Sequence, residues 1–305
     1  MLKKILVVLS FLVIAGCGGL SGNFSKELRP ELIVCGADEV YIFDMSDYDG
    51  SAPEKIWSWK ADGQKGLSGQ MQKLFGTTDD CKPVDGGDKI LITSSGGALA
   101  LVDRSSGRTL FSAYVPNAHS AEMLPGGRIA AASSVSSKGN KIMLFDPALS
   151  SEAIYEDELY SAHGIVWDQK REVLWAIGYD QLREYKLVDW QTAKPKLKQV
   201  AAHALPDEGG HELQAVPDSA DLVLSTHGHV YLFDRDKKNF ALHKYLGDKA
   251  NIKAVTILPE TRQIAYVQAD TSWWSEKIHF LNPETEPIYI KGACIYKIRW
   301  QSQNR

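Results

Sequence analysis

Cysteine is scarce: the chain has four in 305 residues, too few for a dense disulfide scaffold, and no two are spaced as Cys-x-x-Cys. Basic charge is also scarce. Lys and Arg number 34 against 38 Asp and Glu, a net charge of −4, which argues against a nucleic-acid footprint. Helical periodicity is missing: beyond residue 20 no long stretch repeats its apolar residues every 3.6 positions. Nor is there a Gly-x-Ser-x-Gly elbow, a His-Glu-x-x-His pair or a phosphate loop, so no catalytic motif nominates a reaction. What is there is a 44% apolar, 24% charged composition that suits an ordinary globular core.

The first thirty residues stand apart. Lys3 and Lys4 precede an apolar run, Ile5 to Ile14, broken by Ser10. The run is too short to span a bilayer and has the layout of a secretion signal. It closes on Leu12-Val-Ile-Ala-Gly-Cys17, which resembles a bacterial lipobox, where small residues precede a cysteine that is lipidated and becomes the mature N-terminus. That resemblance implies a signal peptide over 1–16, a lipid on Cys17 and anchoring to the cell envelope, expected at the outer membrane, without a span. The Gly/Ser-rich residues 17–30 read as a tether, with a single domain over 31–300. Cys35, Cys81 and Cys294 then remain. Export permits a disulfide, but each lies in or beside an apolar strand, where a buried free thiol is at home.

From Glu31 onward the chain is strand after strand. Leu32–Cys35 and Val40–Asp44 flank a short polar turn, Lys55–Lys60 alternates, and the same grammar of apolar run, polar turn and apolar run recurs to Trp300. Asp62–Thr78 is the longest break, with one helical turn expected at Met71–Phe75 and a possible role as a lid. Many third strands end in Asp or Asn: Asp44, Asp103, Asp146, Asp234 and Asn282. Histidines open equivalent hairpins at His119, His163 and His211, and Pro125 and Pro217 each fall six residues after theirs. A four-stranded unit repeated every 40–50 residues predicts an all-β fold, a β-propeller. Residues 31–300 divide into six units of 45, with seven blades the alternative. The first unit lacks an inner strand and the segment 293–300 is a lone one, so one blade should be closed by strands from both termini, which removes free sheet edges.

At the level of these repeats the chain resembles propeller lipoproteins with WD40-like or quinoprotein-like repeats, including families that remain uncharacterised. The resemblance spans nearly the whole mature chain. No blade-by-blade tryptophan docking motif accompanies it, so a quinone cofactor is not implied.

A propeller's innermost strands line a central channel. Aligning the repeats on the turn after that strand brings Asp80, His119, His163, His211, Lys253 and Tyr296 to one mouth, at spacings of 39, 44, 48, 42 and 43 residues. Three chemistries compete there. His119, His163 and His211 could ligate a divalent metal, as metals sit in propeller lyases and lactonases, although the Lys253 ammonium would repel it. Lys253 and the imidazoles could instead hold an anion or acidic sugar. Or the ring could be a set of satisfied strand ends. Hairpins on the same face carry Tyr179, His227, His229 and the pair Trp273–Trp274, a platform for sugar rings or a partner protein. His227 and His229 form only a weak metal pair, and Glu122 is spaced to face away from His119.

The expected function is therefore a binding module: recognition of a small acidic or carbohydrate ligand, or of an envelope protein, at the channel mouth. A metal-dependent lyase or hydrolase using the three histidines is the alternative, and a structural envelope scaffold is the third.

Overall fold

Short apolar runs buried on both faces must stack against one another, and a closed ring of sheets lets every run do so. The computed structural model describes residues 28–304. The stretch read as signal peptide, residues 1–16, the cysteine at position 17 and the tether up to residue 27 lie outside the described residues, as does Arg305. Six antiparallel four-stranded sheets form a ring, a six-bladed β-propeller. Blade 1 is built from Ile295–Asn304 innermost, then Leu28–Gly36, Glu39–Asp44 and Glu54–Lys60. The other five follow in chain order, with inner strands Thr78–Val84, Ala118–Met123, Ile165–Asp168, Leu213–Ala215 and Ile252–Ile257. The first and last described strands thus share one blade, as the sequence predicts, and the seven-blade alternative falls away. The first strand starts at Leu28, so the last three residues of the expected tether are already in the sheet.

Alternation explains how each blade faces two neighbours. Leu32 and Val34 point into the seam with blade 6, beside Val267 and Phe280. Ile33 and Cys35 point the other way, into the seam with blade 2, beside Cys81, Ile90 and Ile92. Among the described residues there are six buried apolar clusters, and one fills each seam. The Asp residues at third-strand ends have a local task. Asp44 Oδ1 accepts from the Ser46 N–H at 2.9 Å, Asp103 Oδ1 from Ser106 at 2.9 Å and Asp234 Oδ1 from Lys237 at 2.9 Å, each fixing the turn to the fourth strand.

The break at Asp62–Thr78 contains a helical turn, Gly69–Gln72, and a 3-10 turn, Lys73–Phe75. It is not a free lid. Phe75 is buried edge-on against Trp59, with ring centroids 5.3 Å apart, and Ser94 Oγ donates to the Leu74 carbonyl at 2.6 Å. The segment is a plug for the seam between blades 1 and 2.

Closure is tightest at the hairpin after Leu28–Gly36. A Cβ on Gly36 would lie 1.8 Å from the Cys294 carbonyl oxygen, in the segment leading into the closing strand. Gly36→Ala must therefore push the two ends of the propeller apart. We expect it to lose about 3 kcal/mol of stability, read by chemical denaturation. An unchanged midpoint would show that the closing contact is slack.

Candidate functional site

Each inner strand begins with one extra residue. The registers slip between Thr78 and Asp80, between Ala118 and Ser120, and between Ile252 and Ala254, while Cys35 and Gly36 pair with Lys297 and Ile295. The skipped residues are Asp79, His119, Lys253 and Tyr296. In blades 4 and 5 the pattern recurs as hydrogen bonds. The His163 N–H donates to the Ile177 carbonyl and the Ile177 N–H to Gly164, and His211, Ser225 and Glu212 repeat the arrangement. A β-bulge re-aims its side chain, and six of them at equivalent positions aim six side chains at the axis. The ring member in blade 2 is thus Asp79. Asp80, the residue expected from spacing, lies one step deeper.

His119, His163 and His211 stack in a fan, with ring centroids 4.3 Å and 4.4 Å apart. His163 Nδ1 lies 2.8 Å from the Ser161 carbonyl, so it carries the proton and Nε2 is left as the acceptor. The Tyr296 hydroxyl reaches across the channel to His211 Nε2 at 2.6 Å, with His119 Nδ1 at 3.3 Å on its other side. The consistent assignment is His119 donating to Tyr296 and Tyr296 donating to His211. Burial is the main force holding all three imidazoles neutral: His163 falls to about 3, and His119 and His211 fall well below the ordinary histidine range, with Lys253 and Lys297 adding repulsion. Burial also raises the Asp79 carboxyl to about 7, against the Ser95 N–H that donates to it at 2.5 Å.

Beneath the ring lies a charge layer. Lys297 and Glu212, both fully buried, approach to 3.2 Å across the channel. Arg299 lies 2.7 Å from Asp80 and 3.2 Å from Glu212, and Ser120 Oγ donates to Asp80 at 2.6 Å. Burial alone would raise Asp80, but Arg299, Lys297 and Lys82 outweigh it and hold the carboxyl low. Lys82 pairs with Glu122 at 2.9 Å and donates to the Ile165 carbonyl, so Glu122 is no base for His119. The Lys297 ammonium faces Glu212 without hydrogen-bond geometry.

The sequence-predicted residues thus divide. His119, His163, His211 and Tyr296 meet directly, and Lys253 lies close enough to depress all three imidazoles. The Lys253 side chain has no hydrogen bond or ion pair among the described residues. The metal reading of His119, His163 and His211 meets a geometric obstacle. Their rings face one another instead of aiming nitrogens at one point, His163 Nδ1 and His211 Nε2 are engaged, and two ammonium groups stand nearby. Among the described residues no group of three or more His, Cys, Asp or Glu could hold a metal ion. His227 and His229 part company, the latter bonding Asp207 at 2.6 Å and the former turning to Tyr179. Trp273 is 58% exposed, while Trp274 is half-buried and pinned by a bridge to Thr271.

Asp79, Lys297, Arg299 and Glu212 escaped the sequence reading. The signal that could have found the two cations is their alternation in Ile-Tyr-Lys-Ile-Arg-Trp, charges on one side of an otherwise apolar strand.

The chain belongs to a family of unknown function (DUF6528), whose family model matches residues 42–305. No curated protein matches it.

Asp79 supplies a pH test. Its folded pKa of about 7 lies above the ordinary value of about 4 in an unfolded chain. The folded state therefore binds the extra proton, and the stability that Asp79 itself contributes declines as pH rises from about 4 to about 7. Asp79→Asn removes that decline. The variant should gain on the wild type by up to about 4 kcal/mol at pH 8 and lose the advantage near pH 4, measured by denaturation across pH. A gap that does not vary with pH would refute the assignment.

Proposed function

We propose that this member of the DUF6528 family is a binding module whose channel mouth takes a small carboxylated ligand, and that it works as a lipoprotein of the cell envelope. One observation carries the binding reading: Lys253 is a half-buried ammonium at the mouth with no carboxylate partner among the described residues. A cation in that setting gains strongly from an anion, because the surroundings are already partly dehydrated. Its neighbours suit the task. Neutral His119, His163 and His211 offer uncharged donors and acceptors, and Tyr296 fixes two of them. The floor of ion pairs keeps the deeper charge occupied, so the ligand's carboxylate meets Lys253 and does not compete for Arg299.

The envelope reading is supported by the sequence, Lys3-Lys4, the apolar run and Ala-Gly-Cys17, and it fits the direction of the first strand. Leu28 pairs with Asn304 at the far end of blade 1. Gly36, eight residues on, borders the mouth, about 26 Å away at 3.3 Å per residue. A tether on Leu28 would leave the propeller opposite its binding face, holding the mouth away from the membrane.

Two measurements test these readings. Burial and the Lys297 charge lower the Lys253 ammonium to about 8. Carboxylate affinity should therefore be full below that pH and fall as pH rises through it, with Lys297, Asp79 and the imidazoles the other groups facing the site. Titration of glycolate, succinate and D-glucuronate by NMR should show binding that weakens at least tenfold in Lys253→Met; equal binding by that variant would sink the reading. Membrane fractionation tests the anchor. Cys17→Ala is expected to move the protein to the soluble fraction, and continued membrane association would count against lipidation.

A further inference from the structure

Beside His163 the mouth has a wall that the anion reading does not use. Tyr160, three residues before His163, is 55% exposed and meets Tyr179 edge to face, with centroids 5.6 Å apart at 64°. Tyr179 meets His227 in the same manner, at 6.2 Å and 81°. The three rings come from the segment entering blade 4, the hairpin of blade 4 and the hairpin of blade 5, so their alignment is not a local accident of one loop.

The ledge is rigid. The Tyr179 hydroxyl donates to Glu208 Oε2 at 2.9 Å, and the Tyr179 carbonyl accepts from the Gly209 and Gly210 N–H groups at 2.7 Å and 3.0 Å. His227 lies flush on Gly209, where a Cβ would come within 2.3 Å of the ring and where φ is +82°. The wall is also continuous with Lys253: the Asn251 N–H donates to the His227 carbonyl at 2.9 Å, two residues before the lysine. Three rings that meet edge to face, with Tyr160 offering the exposed face, edged by carboxylate acceptors, Glu208 and Asp207, and ending at a lone ammonium match one ligand shape. That shape has an apolar ring face, hydroxyls around the rim and a carboxylate at one end.

We infer that Tyr160, Tyr179 and His227 form a stacking subsite for a pyranose ring, and that the ligand of the channel mouth is an acidic sugar of the hexuronate class. The inference rests on the carboxylate reading of Lys253 and assigns the body of the same ligand. C–H groups on a pyranose face pack on tyrosine as other apolar surfaces do, and the ring hydroxyls can donate to Glu208 and Asp207.

The test compares D-glucuronate with glycolate, a small hydroxy acid without the ring, by saturation-transfer NMR and affinity titration. In the wild type, saturation should reach the ring protons and D-glucuronate should bind about tenfold more tightly. Tyr160→Ala, an exposed position, should abolish that advantage while leaving glycolate unaffected, and Tyr160→Phe should restore it. Lys253→Met should weaken both acids. Equal affinities in the wild type, or D-glucuronate binding that Tyr160→Ala leaves intact, would overturn the stacking subsite, while Lys253-dependent glycolate binding would keep the anion reading standing. Loss in Trp273→Ala in place of Tyr160→Ala would put the ring on the opposite rim and equally overturn the inference. Binding of neither acid would remove both readings together.

Discussion

Two cations on one strand, Lys297 and Arg299, hold the axis of this propeller together. They arrive from blade 1 and meet carboxylates from blades 2 and 5, Asp80 and Glu212. All four side chains are buried, where an unpaired charge is costly and a paired one gains from the low dielectric. The consequence is mutual dependence. Blades 1, 2 and 5 cannot shift along the axis without separating a buried pair, and the apolar seams, which resist separation but tolerate sliding, gain a fixed register from it. The site above inherits that register: Tyr296 precedes Lys297 on the same strand, so the ion pairs set where its hydroxyl meets His211.

The six bulges turn a structural repeat into a chemical one. A regular strand would point successive residues to opposite faces of the sheet and bury them in the seams. One extra residue per blade diverts a side chain to the axis, and the identity of that residue is then free of packing demands. The chain uses the freedom unevenly, with an acid, three imidazoles, an amine and a phenol. Aromatic stacking and neutral histidines suit the blade 3 to 5 side for contact with a ring, and the amine of blade 6 breaks the symmetry and gives the mouth a direction.

Blade number and closure were readable from the sequence because apolar periodicity and the orphan strand at 293–300 follow directly from the need to cover both sheet faces. Five of the six ring positions came through for the same reason, as polar residues standing where a strand should begin. Asp80 was chosen over Asp79 because a one-residue bulge leaves no mark in composition. The choice matters, since one carboxyl is held low by Arg299 and the other is raised to about 7, chiefly by burial. Lys297 and Arg299 show only as alternate charges on an apolar strand, and Glu212 carries no mark of its role until the fold brings blades 1 and 5 across the channel. The ledge of Tyr160, Tyr179 and His227 is a property of three separate connections, so no linear motif could announce it.

The strand Ile295–Asn304 is the last of the propeller's strands to leave the ribosome, yet it carries Tyr296, Lys297 and Arg299. Until it arrives, five blades and part of a sixth can stack while Asp80 and Glu212 stay uncompensated and blade 1 has no inner edge. A chain cut short of this strand therefore cannot assemble a weakened version of the mouth; it leaves an open sheet edge and two carboxylates without their cations. Closure of the ring and compensation of its buried charge become a single event, brought about by the same few side chains.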